Sequence, residues 1–322
     1  MFDRFETAGP GFINFFLGTE FYSAVIREIL ANPEAYGRSE YGRDEKVMVE
    51  FVSANPTGPM HMGNARGGAL GDCLAAVLDK AGYNAWREFY VNDAGNQIEK
   101  FGCSLEARYL QIFKGDEIEF PEDGYQGEDI KDLAKEYADL NGDSLVNVSA
   151  EVRKKALVDY ALPKNIKKMQ ADMEKYKIFY DKWFFESELH KSGAVKAVVD
   201  LLTKKGLTYE KDGAVWYKNK EVLTQKLLKE GKSQKYIDNL ELKDDVLIRQ
   251  NGTPTYFTAD IAYHKNKFDR GFTTLIDVWG ADHHGHVMRM KGAMDAIGYD
   301  GDKLNVVLMQ LVKLVKDGGF LA

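Results

Sequence analysis

Two short segments of the sequence combine histidine, glycine and small polar residues in a way that suits phosphate chemistry. The first, "NPTGPMHMGN" (55–64), lies between the apolar run 47–53 and the Ala- and Leu-rich segment 65–82. A helix that begins directly after a strand presents unpaired N–H groups and the positive end of its dipole, which favours bound phosphate. His61 can donate to a phosphate oxygen, and Gly63 removes a side chain where a base or ribose could approach the backbone. We therefore predict a nucleotide site at this turn.

The second segment is "GADHHGH" (280–286), in which a glycine, an aspartate and a histidine have the spacing G-x-D-x-x-x-H. Asp282 follows a predicted strand and can accept from ribose hydroxyls, and His286 points back from the next helix. Three histidines also raise the alternative of a metal site. However, the adjacent His283 and His284 cannot share one helix face, and no i, i+4 pair with a third ligand is present. No protein-bound metal is expected.

Two carboxylates complete the candidate chemistry. Glu50 lies in an otherwise apolar run, and Asp260 follows Tyr256 by four residues in a predicted helix, so both share one helix face. A buried carboxylate is costly unless a cation answers it. That cation could be an arginine of the protein in a structural ion pair, or a substrate whose guanidinium takes two acceptors in fork geometry. The residues alone leave both alternatives open.

The elements around these segments predict a doubly wound parallel α/β sheet. Ligands of such sheets bind outside the carboxyl ends of the strands, which is where both segments lie. Apolar runs and helical periodicity predict two β-α-β units, with parallel strands in each, at 47–53, 63–80 and 85–93, and at 274–282, 284–297 and 303–312.

A long insertion with a different, more charged composition is predicted at about 115–245. A hairpin with Asp212 and Gly213 at its turn is also expected there. The polar stretch 224–245 is predicted to be an exposed elaboration without a role in the chemistry. The expected helical stretches are 128–139, 150–176 and 187–206.

Composition narrows the class of protein. A chain of 322 residues with 44% hydrophobic content can bury a sizeable core, and the net charge of −7 argues against a surface devoted to nucleic acid, although a local basic groove remains possible. Neither a membrane span nor a signal peptide is expected, so the prediction is a cytoplasmic protein without a membrane partner. Cys73 and Cys103 are predicted to be buried free thiols with no disulfide partner.

Three segments together resemble the bacterial type of class I arginyl-tRNA synthetase. They are "VEFVSANPTGPMHMGNARGGALGD" (49–72), "GTPTYFTADIAYHKNKFDRGF" (252–272) and "DVWGADHHGHVMRMKGAM" (277–294). "HMGN" stands where the HIGH motif of class I falls, and the similarity extends over nearly the whole chain. The resemblance implies a Rossmann-like class I catalytic domain with a mostly helical insertion.

The resemblance also implies roles for individual residues. Glu50 and Asp260, with help from Tyr256, would take the guanidinium of L-arginine, and Ser53 and Asn55 would hold its α-amino group. His61 and Asn64 would be catalytic. The ATP-binding set would be His61, Gly63, Asn64, Gly280, Asp282 and His286.

The implied reaction has two steps, with ATP and Mg²⁺ as a substrate complex and tRNA(Arg) as the final acceptor. The arginine carboxylate attacks the α-phosphate of ATP to give arginyl-adenylate and pyrophosphate, and the terminal ribose of the tRNA then takes the arginyl group. Catalysis of this kind is mainly positioning and charge stabilisation, without a protein nucleophile. Many members of the family need tRNA for the first step.

Three departures from the family pattern stand out. Asn64 occupies the place of the second HIGH histidine, which excludes a cationic role there, and the stretch 224–245 is longer than the usual connection. Residues 1–40 are interpreted as the tail of an N-terminal tRNA-binding domain with a connecting helix, and 41–322 as the catalytic domain. The KMSKS segment and the anticodon-binding domain are expected to be absent, so a fragment weak or inactive in charging is predicted.

Three other functions fit the residues less well. A nucleotidyl ligase of the same fold that works without tRNA would not need the pair Glu50 and Asp260. A non-catalytic paralogue would be expected to lose His61 or Asp282, and both are present. A dinucleotide-dependent dehydrogenase is disfavoured because no G-x-G-x-x-G follows the first predicted strand.

Overall fold

The computed structural model of the protein describes residues 2–316 and 319–321, without the side chains of 116, 282, 316 and 319–321. Twelve strands are found in this part of the chain. They are β1 (Phe2–Ala8), β2 (Phe12–Leu17), β3 (Lys46–Glu50), β4 (Asn84–Val91), β5 (Lys182–Phe185), β6 (Thr208–Lys211), β7 (Ala214–Tyr217), β8 (Asp245–Ile248), β9 (Thr274–Gly280), β10 (Leu304–Met309), β11 (Leu314–Lys316) and β12 (Gly319–Leu321).

Eleven α-helices connect and cover these strands in the same part of the chain. They are α1 (Thr19–Ala31), α2 (Met62–Lys80), α3 (Asn96–Lys114), α4 (Glu128–Asn141), α5 (Ala150–Lys175), α6 (Glu186–Lys191), α7 (Ala194–Lys204), α8 (Asn219–Lys229), α9 (Gln234–Asp238), α10 (Tyr256–Asp269) and α11 (His284–Ile297).

The central sheet is parallel and has the strand order β10-β9-β3-β4-β5. The predicted doubly wound architecture is therefore confirmed. The order reverses between β3 and β9, where Glu50 lies opposite Asp277. A ligand crevice is expected at this reversal, outside the carboxyl ends of the two strands.

The main core forms where α10 and α11 pack with α6 and α7 beside the sheet. Its fully buried members include Ile261 from α10, Met290 from α11 and Val198 from α7, together with Met48 and Leu275 from the sheet. These apolar side chains hold α10 and α11 at fixed positions, and both helices begin at the edge where the crevice opens.

The predicted insertion at 115–245 is wrong as a single unit. Strand β5 lies within that range but pairs with β4 in the central sheet, and α6 and α7 belong to the main core. The separate helical part consists of α3, α4 and α5, which share a second core of Phe101, Leu105, Tyr109, Ile130 and Leu157 among others. A four-residue strand, "KWFF", is too short to show periodicity between charged helices.

Two local predictions in this region have different outcomes. The hairpin is confirmed as β6 and β7, with Asp212 and Gly213 both at positive φ, as the turn requires. Strand β8 extends it to three strands. The helix predicted at 187–206 is two helices, because Gly193 adopts φ 74° and ends the first of them.

The N-terminal hairpin of β1 and β2 is exposed along nearly its whole length. Phe5 is 73% exposed and Phe12 70%, and the strands pair with each other in a sheet of their own. The cysteine prediction is partly wrong. Both thiols are free, but Cys73 is exposed on α2 and Cys103 is only partly buried.

Candidate active site

A cavity of about 1580 Å³ opens at the carboxyl ends of β3 and β9. Its walls come from the loop after β3, the start of α2, the first turns of α10 and α11, and the loop after β9. Ten of the residues assigned from the sequence line it: Glu50, Ser53, Asn55, His61, Gly63, Asn64, Tyr256, Asp260, Gly280 and His286. The eleventh, Asp282, lies in a 3-10 turn after β9, and its side chain is outside the described part of the structure.

His61 and Asn64 form a reciprocal cap at the start of α2. The Gly63 N–H donates to His61 Nδ1 at 3.1 Å, and the His61 N–H donates to Asn64 Oδ1 at 2.9 Å. Because Nδ1 accepts a hydrogen bond, the neutral ring carries its proton on Nε2. That second nitrogen can therefore donate to a ligand, while the cap fixes where the ring lies.

Gly63 has a local structural role that the sequence did not predict. A Cβ atom at this position would come within 2.9 Å of the His61 ring. The missing side chain therefore makes room first for the capping histidine. Close approach of a nucleotide to the same backbone stays a prediction.

The loop after β3 is held in an unusual backbone conformation. Val52 has φ 70° and Ser53 φ 41°, in the left-handed region that is rare for residues other than glycine and unfavourable for a β-branched side chain. Ser53 Oγ donates to Glu50 Oε1 at 2.7 Å and accepts from the Tyr90 N–H at 3.1 Å. From α5, buried Asn165 donates to the Pro56 carbonyl at 2.9 Å. These bonds offset the strain and fix the loop.

Glu50 forms an ion pair with a cation of the protein itself. The fully buried Lys267 of α10 donates to Glu50 Oε2 at 2.5 Å and to Asp277 Oδ1 at 2.8 Å. The alternative of a structural ion pair is thus correct for Glu50, although its partner is a lysine and not an arginine. Burial raises the pKa of Glu50 against the opposing effect of the Lys267 charge. With Ser53 on the other oxygen, both oxygens of Glu50 are engaged.

Asp277 and His264 extend this buried group beneath the cavity. His264 Nε2 lies 2.7 Å from Asp277 Oδ2, and His264 Nδ1 lies 2.7 Å from the Asp260 carbonyl oxygen. Burial opposes ionisation of Asp277, but Lys267 and His264 outweigh it and lower its pKa to about 2. Sequence reasoning missed this group. The spacing 260, 264, 267 places three polar residues on one helix face, but the letters do not distinguish buried Lys267 from partly exposed Lys265.

Asp260 differs from Glu50 in how it is paired. Its Oδ2 lies 3.0 Å from His286 Nε2, and its side chain is 32% exposed at the cavity wall. Tyr256, one helical turn earlier, is 39% exposed on the same face of α10. Among the described residues, hydrogen bonds to this carboxylate come to Oδ2, so Oδ1 is available to a ligand.

His286 lies between the predicted arginine and nucleotide sides of the cavity. Its Nδ1 accepts from Arg289 Nη2 at 2.8 Å, while Nε2 faces Asp260. Both ring nitrogens are therefore engaged within the protein. The adenosine contact predicted for His286 would have to use the face of its ring.

Glu186 is a further carboxylate near the site that sequence reasoning missed. It is 4% exposed at the start of α6, and His190 Nε2 lies 3.2 Å from its Oε1. Burial raises the pKa of Glu186, and the charge of Asp260 contributes in the same direction. Glu186 and Asp260 are therefore close enough for their charges to interact.

The stretch 224–245 has a role at the cavity that the sequence did not predict. Residues 240–243 and Asp245 line one wall, and Asp245 accepts from Arg289 Nη1 at 2.5 Å. The prediction of an exposed elaboration is therefore wrong for this end of the stretch, while a role in the chemistry stays untested. The stretch is polar on average because α8 and α9 carry many exposed polar residues. For that reason its composition did not reveal that Leu240 and Leu242 belong to the cavity wall.

A family comparison agrees with this geometry. Residues 25–318 match the family described as "tRNA synthetases class I (R), catalytic domain", which is nearly the whole chain. The chain belongs to this family.

Curated relatives of this arginyl family cover the same span. An arginine--tRNA ligase of Acetivibrio thermocellus is 55% identical over 98% of the chain, and one of Caldanaerobacter subterraneus is 57% identical over 98%. In both cases the match covers 53% of the relative. The chain thus spans about half the length of these curated arginine--tRNA ligases.

Solved structures of the family have the same fold. An arginyl-tRNA synthetase structure from Campylobacter jejuni is 36% identical, with a TM-score of 0.79 over 95% of this chain and 63% of that one. The Thermus thermophilus arginyl-tRNA synthetase, at 21% identity and a TM-score of 0.61, agrees in fold alone. The class I synthetase fold predicted from the sequence is therefore confirmed.

Neither a metal-binding cluster nor a membrane-spanning helix is found among the described residues. In that part of the chain no group of three or more histidine, cysteine, aspartate or glutamate side chains is arranged to hold a metal ion. Among the helices of the same part, none is both long and apolar enough to cross a bilayer.

Proposed function

We propose that the chain binds L-arginine and ATP in this cavity and forms arginyl-adenylate, the first step in charging tRNA(Arg). The observation that carries the proposal is the Asp260 carboxylate, which has one oxygen held by His286 and the other available at the wall of a large cavity. Glu186 lies close enough for its carboxyl group to interact with the Asp260 charge. A cationic ligand is complementary in charge to this carboxylate, and a guanidinium can donate to a carboxylate from two N–H groups at once.

The remaining contacts follow from the positions of the polar groups. Tyr256 assists Asp260 at the guanidinium, and Ser53 and Asn55 lie where the α-amino group would enter. Glu50 acts differently from the initial prediction. Because both of its oxygens are engaged by Lys267 and Ser53, it contributes charge and holds the loop rather than gripping the guanidinium directly.

ATP occupies the opposite side of the cavity, near the first turn of α2. The N–H groups and dipole of that turn attract the phosphates, and His61 Nε2 is the free donor of the capped ring. Asn64 fixes His61 through the cap, while Gly280 ends β9 and Asp282 follows it, where the adenosine would lie. Mg²⁺ enters with the phosphates of ATP as part of the substrate.

In the reaction, an oxygen of the arginine carboxylate attacks the α-phosphorus of ATP. The bond from that phosphorus to the bridging oxygen breaks, and pyrophosphate leaves with the electron pair. The protein holds the two substrates in line and stabilises the developing charge on phosphate. Transfer to tRNA(Arg), in the cytoplasm, completes the activity that we assign to the whole protein.

Titration calorimetry with three amino acids tests the proposal. L-arginine is expected to bind, while L-citrulline, which has nearly the same shape without the charge, and L-lysine, which lacks the fork, should bind at least about tenfold more weakly. ATP-dependent pyrophosphate exchange with and without tRNA then tests the chemistry. Equal affinity for arginine and citrulline would contradict the proposal and favour a ligase for another small acid.

A further inference from the structure

A chain of three hydrogen bonds links the Asp260 carboxylate to the small three-stranded sheet. Asp245, at the start of β8, accepts from Arg289 Nη1 at 2.5 Å. Arg289 Nη2 lies 2.8 Å from His286 Nδ1, and His286 Nε2 lies 3.0 Å from Asp260 Oδ2. We infer that Asp245 and Arg289 are positioning residues for arginine recognition, which act by fixing the tautomer of His286 and through it the orientation of Asp260. This inference rests on the proposed function.

The direction of each bond is set by chemistry. A guanidinium has only donors, so His286 Nδ1 must be the acceptor and cannot carry the proton. The ring proton of the neutral imidazole is therefore on Nε2, where it is donated to the carboxylate of Asp260. Arg289 thereby selects the one neutral tautomer that can hold Asp260.

Packing keeps the imidazole from turning over. The His286 ring contacts Phe257 edge to face, at 5.6 Å between centroids, and Trp279 in a tilted arrangement, at 5.5 Å. Arg289 itself lies over the Phe257 ring at 5.4 Å. A ring flip would place the carbons Cε1 and Cδ2 where Nε2 and Nδ1 now lie and break both hydrogen bonds, so the aromatic contacts and the arginine act together.

The Asp245–Arg289 pair is not arranged as a structural ion pair would be. A pair that serves stability alone gains most from two parallel hydrogen bonds. Here Asp245 Oδ2 and Arg289 Nε are both buried with no hydrogen-bond partner among the described residues. The guanidinium is instead turned so that its second Nη reaches His286. The geometry thus favours the histidine contact over the strongest possible salt bridge.

The consequence for the ligand is directional. With Oδ2 fixed by His286, the plane of the Asp260 carboxylate is set, and Oδ1 has one orientation toward the cavity. A guanidinium depends on that orientation because its N–H groups have a rigid geometry, whereas an ammonium group can rotate to follow. Loss of the hydrogen-bond chain from Asp245 to Asp260 should therefore weaken the binding of arginine more than the binding of lysine.

The sign of the expected effect separates positioning from simple charge. Arg289 is a cation near a site proposed for a cation, so removing its charge should strengthen arginine binding if electrostatic repulsion alone mattered. Loss of positioning predicts the opposite result. For Arg289→Ala we expect the Kd for L-arginine to rise about tenfold, with a smaller rise for L-lysine and less than about a twofold change for ATP.

Calorimetry on matched variants of the full chain tests this. Lys291→Ala removes a cation from the same helix, outside the cavity lining, and should leave the arginine Kd unchanged. Asp245→Asn, which keeps the shape of the side chain, should give a smaller loss than Arg289→Ala. In a His286→Ala background, Arg289→Ala should have no further effect, since the two act through one path. Unchanged or tighter arginine binding by Arg289→Ala, or a full loss that persists without His286, would overturn the inference.

Nitrogen NMR of the His286 ring supplies a readout that does not depend on arginine. The free wild-type protein should show a protonated Nε2 and an unprotonated Nδ1, and Arg289→Ala should show mixed tautomers. If the wild-type ring has this tautomer but no arginine binds, the proposed function fails, and the role in recognition fails with it. If arginine binds and Arg289→Ala binds equally well, the inference fails while the proposed function stands.

Discussion

Glu50 and Asp260 were predicted as equal partners for one cation, and their surroundings make them unequal. Glu50 is 7% exposed and shares the Lys267 ammonium with Asp277, so its charge is already compensated. Asp260 is paired with an imidazole at 3.0 Å and remains one-third exposed. A ligand cation should therefore gain more from Asp260 than from Glu50.

Replacement of Asp260 by asparagine tests this asymmetry. Asp260→Asn should weaken binding of L-arginine by about 1–3 kcal/mol, because a charged hydrogen bond is lost, and leave ATP affinity nearly unchanged. Calorimetric titration of both ligands measures the two effects. Asp200→Asn, in an exposed ion pair with Lys196 on α7, is the control for loss of a carboxylate as such. Similar losses for arginine and ATP would show that Asp260 has a structural role instead.

Among the elements, α2 is placed by a close contact with the end of β3. Gly71 lies in the middle of α2, and a Cβ atom there would come within 2.1 Å of Cγ and 2.5 Å of Cβ of the buried Phe51. The helix can approach the sheet this closely only because the side chain is missing. Since His61 caps the same helix, this contact also sets the position of the side of the cavity that we propose for the nucleotide.

A pair of glycine substitutions separates packing from helix propensity. Gly71→Ala should destabilise the protein by about 1–3 kcal/mol through overpacking, although alanine is the better helix former. Gly285→Ala, on α11, meets nothing within 4 Å and should be neutral or stabilising by up to about 1 kcal/mol. Urea unfolding curves of both variants measure the difference. Equal effects of the two substitutions would mean that α2 moves away from Phe51 without cost.

The elements also show which parts of the site a sequence can predict. His61 and Asp260, which line the cavity, were singled out by a recognisable boundary and a helix spacing, and Asn64 was singled out by the resemblance to the HIGH motif. The role of Lys267 could not be found, since a lysine is normally exposed and only tertiary packing reveals its burial. The chain of hydrogen bonds from Asp245 to Asp260 joins residues from three separate elements, and no local sequence pattern connects them. In the fold, the long strands were predictable by their apolar runs, whereas the four-residue β5 was not.

At the scale of the whole molecule, the buried group of Lys267, Glu50 and Asp277 ties α10 to two neighbouring strands of the central sheet. The three charges come from positions more than 200 residues apart at their extremes and meet only in the folded chain. The stability of the folded protein should therefore depend on pH through these three groups.

The pH dependence has a definite sign for Asp277. Its pKa is lowered from 3.8 to about 2 in the folded protein, so its contribution is present above about pH 4 and is lost as the pH falls toward 2. That contribution amounts to about 2 kcal/mol. Glu50 acts in the opposite direction, because its pKa is raised, and offsets part of the loss.

Unfolding free energies measured between pH 5 and pH 2 test this account. At pH 5, Asp277→Asn should have a lower free energy of unfolding than the wild type. Between pH 5 and pH 2, its free energy of unfolding should fall by about 2 kcal/mol less than that of the wild type. The exposed variant Asp200→Asn again controls for removal of one carboxylate. Parallel curves for Asp277→Asn and the wild type would show that the buried group is not coupled to acid unfolding.

The left-handed backbone at Val52 and Ser53 has a consequence for heat inactivation. This conformation persists because the surroundings hold it, including the bond from Asn165 of α5 to the Pro56 carbonyl. Warming that loosens α5 would let the loop relax to an ordinary conformation while the central sheet stays folded. Ser53 would then leave both Glu50 and the Tyr90 amide. The capacity to bind arginine should thus disappear at a lower temperature than the fold itself, and it should return on cooling.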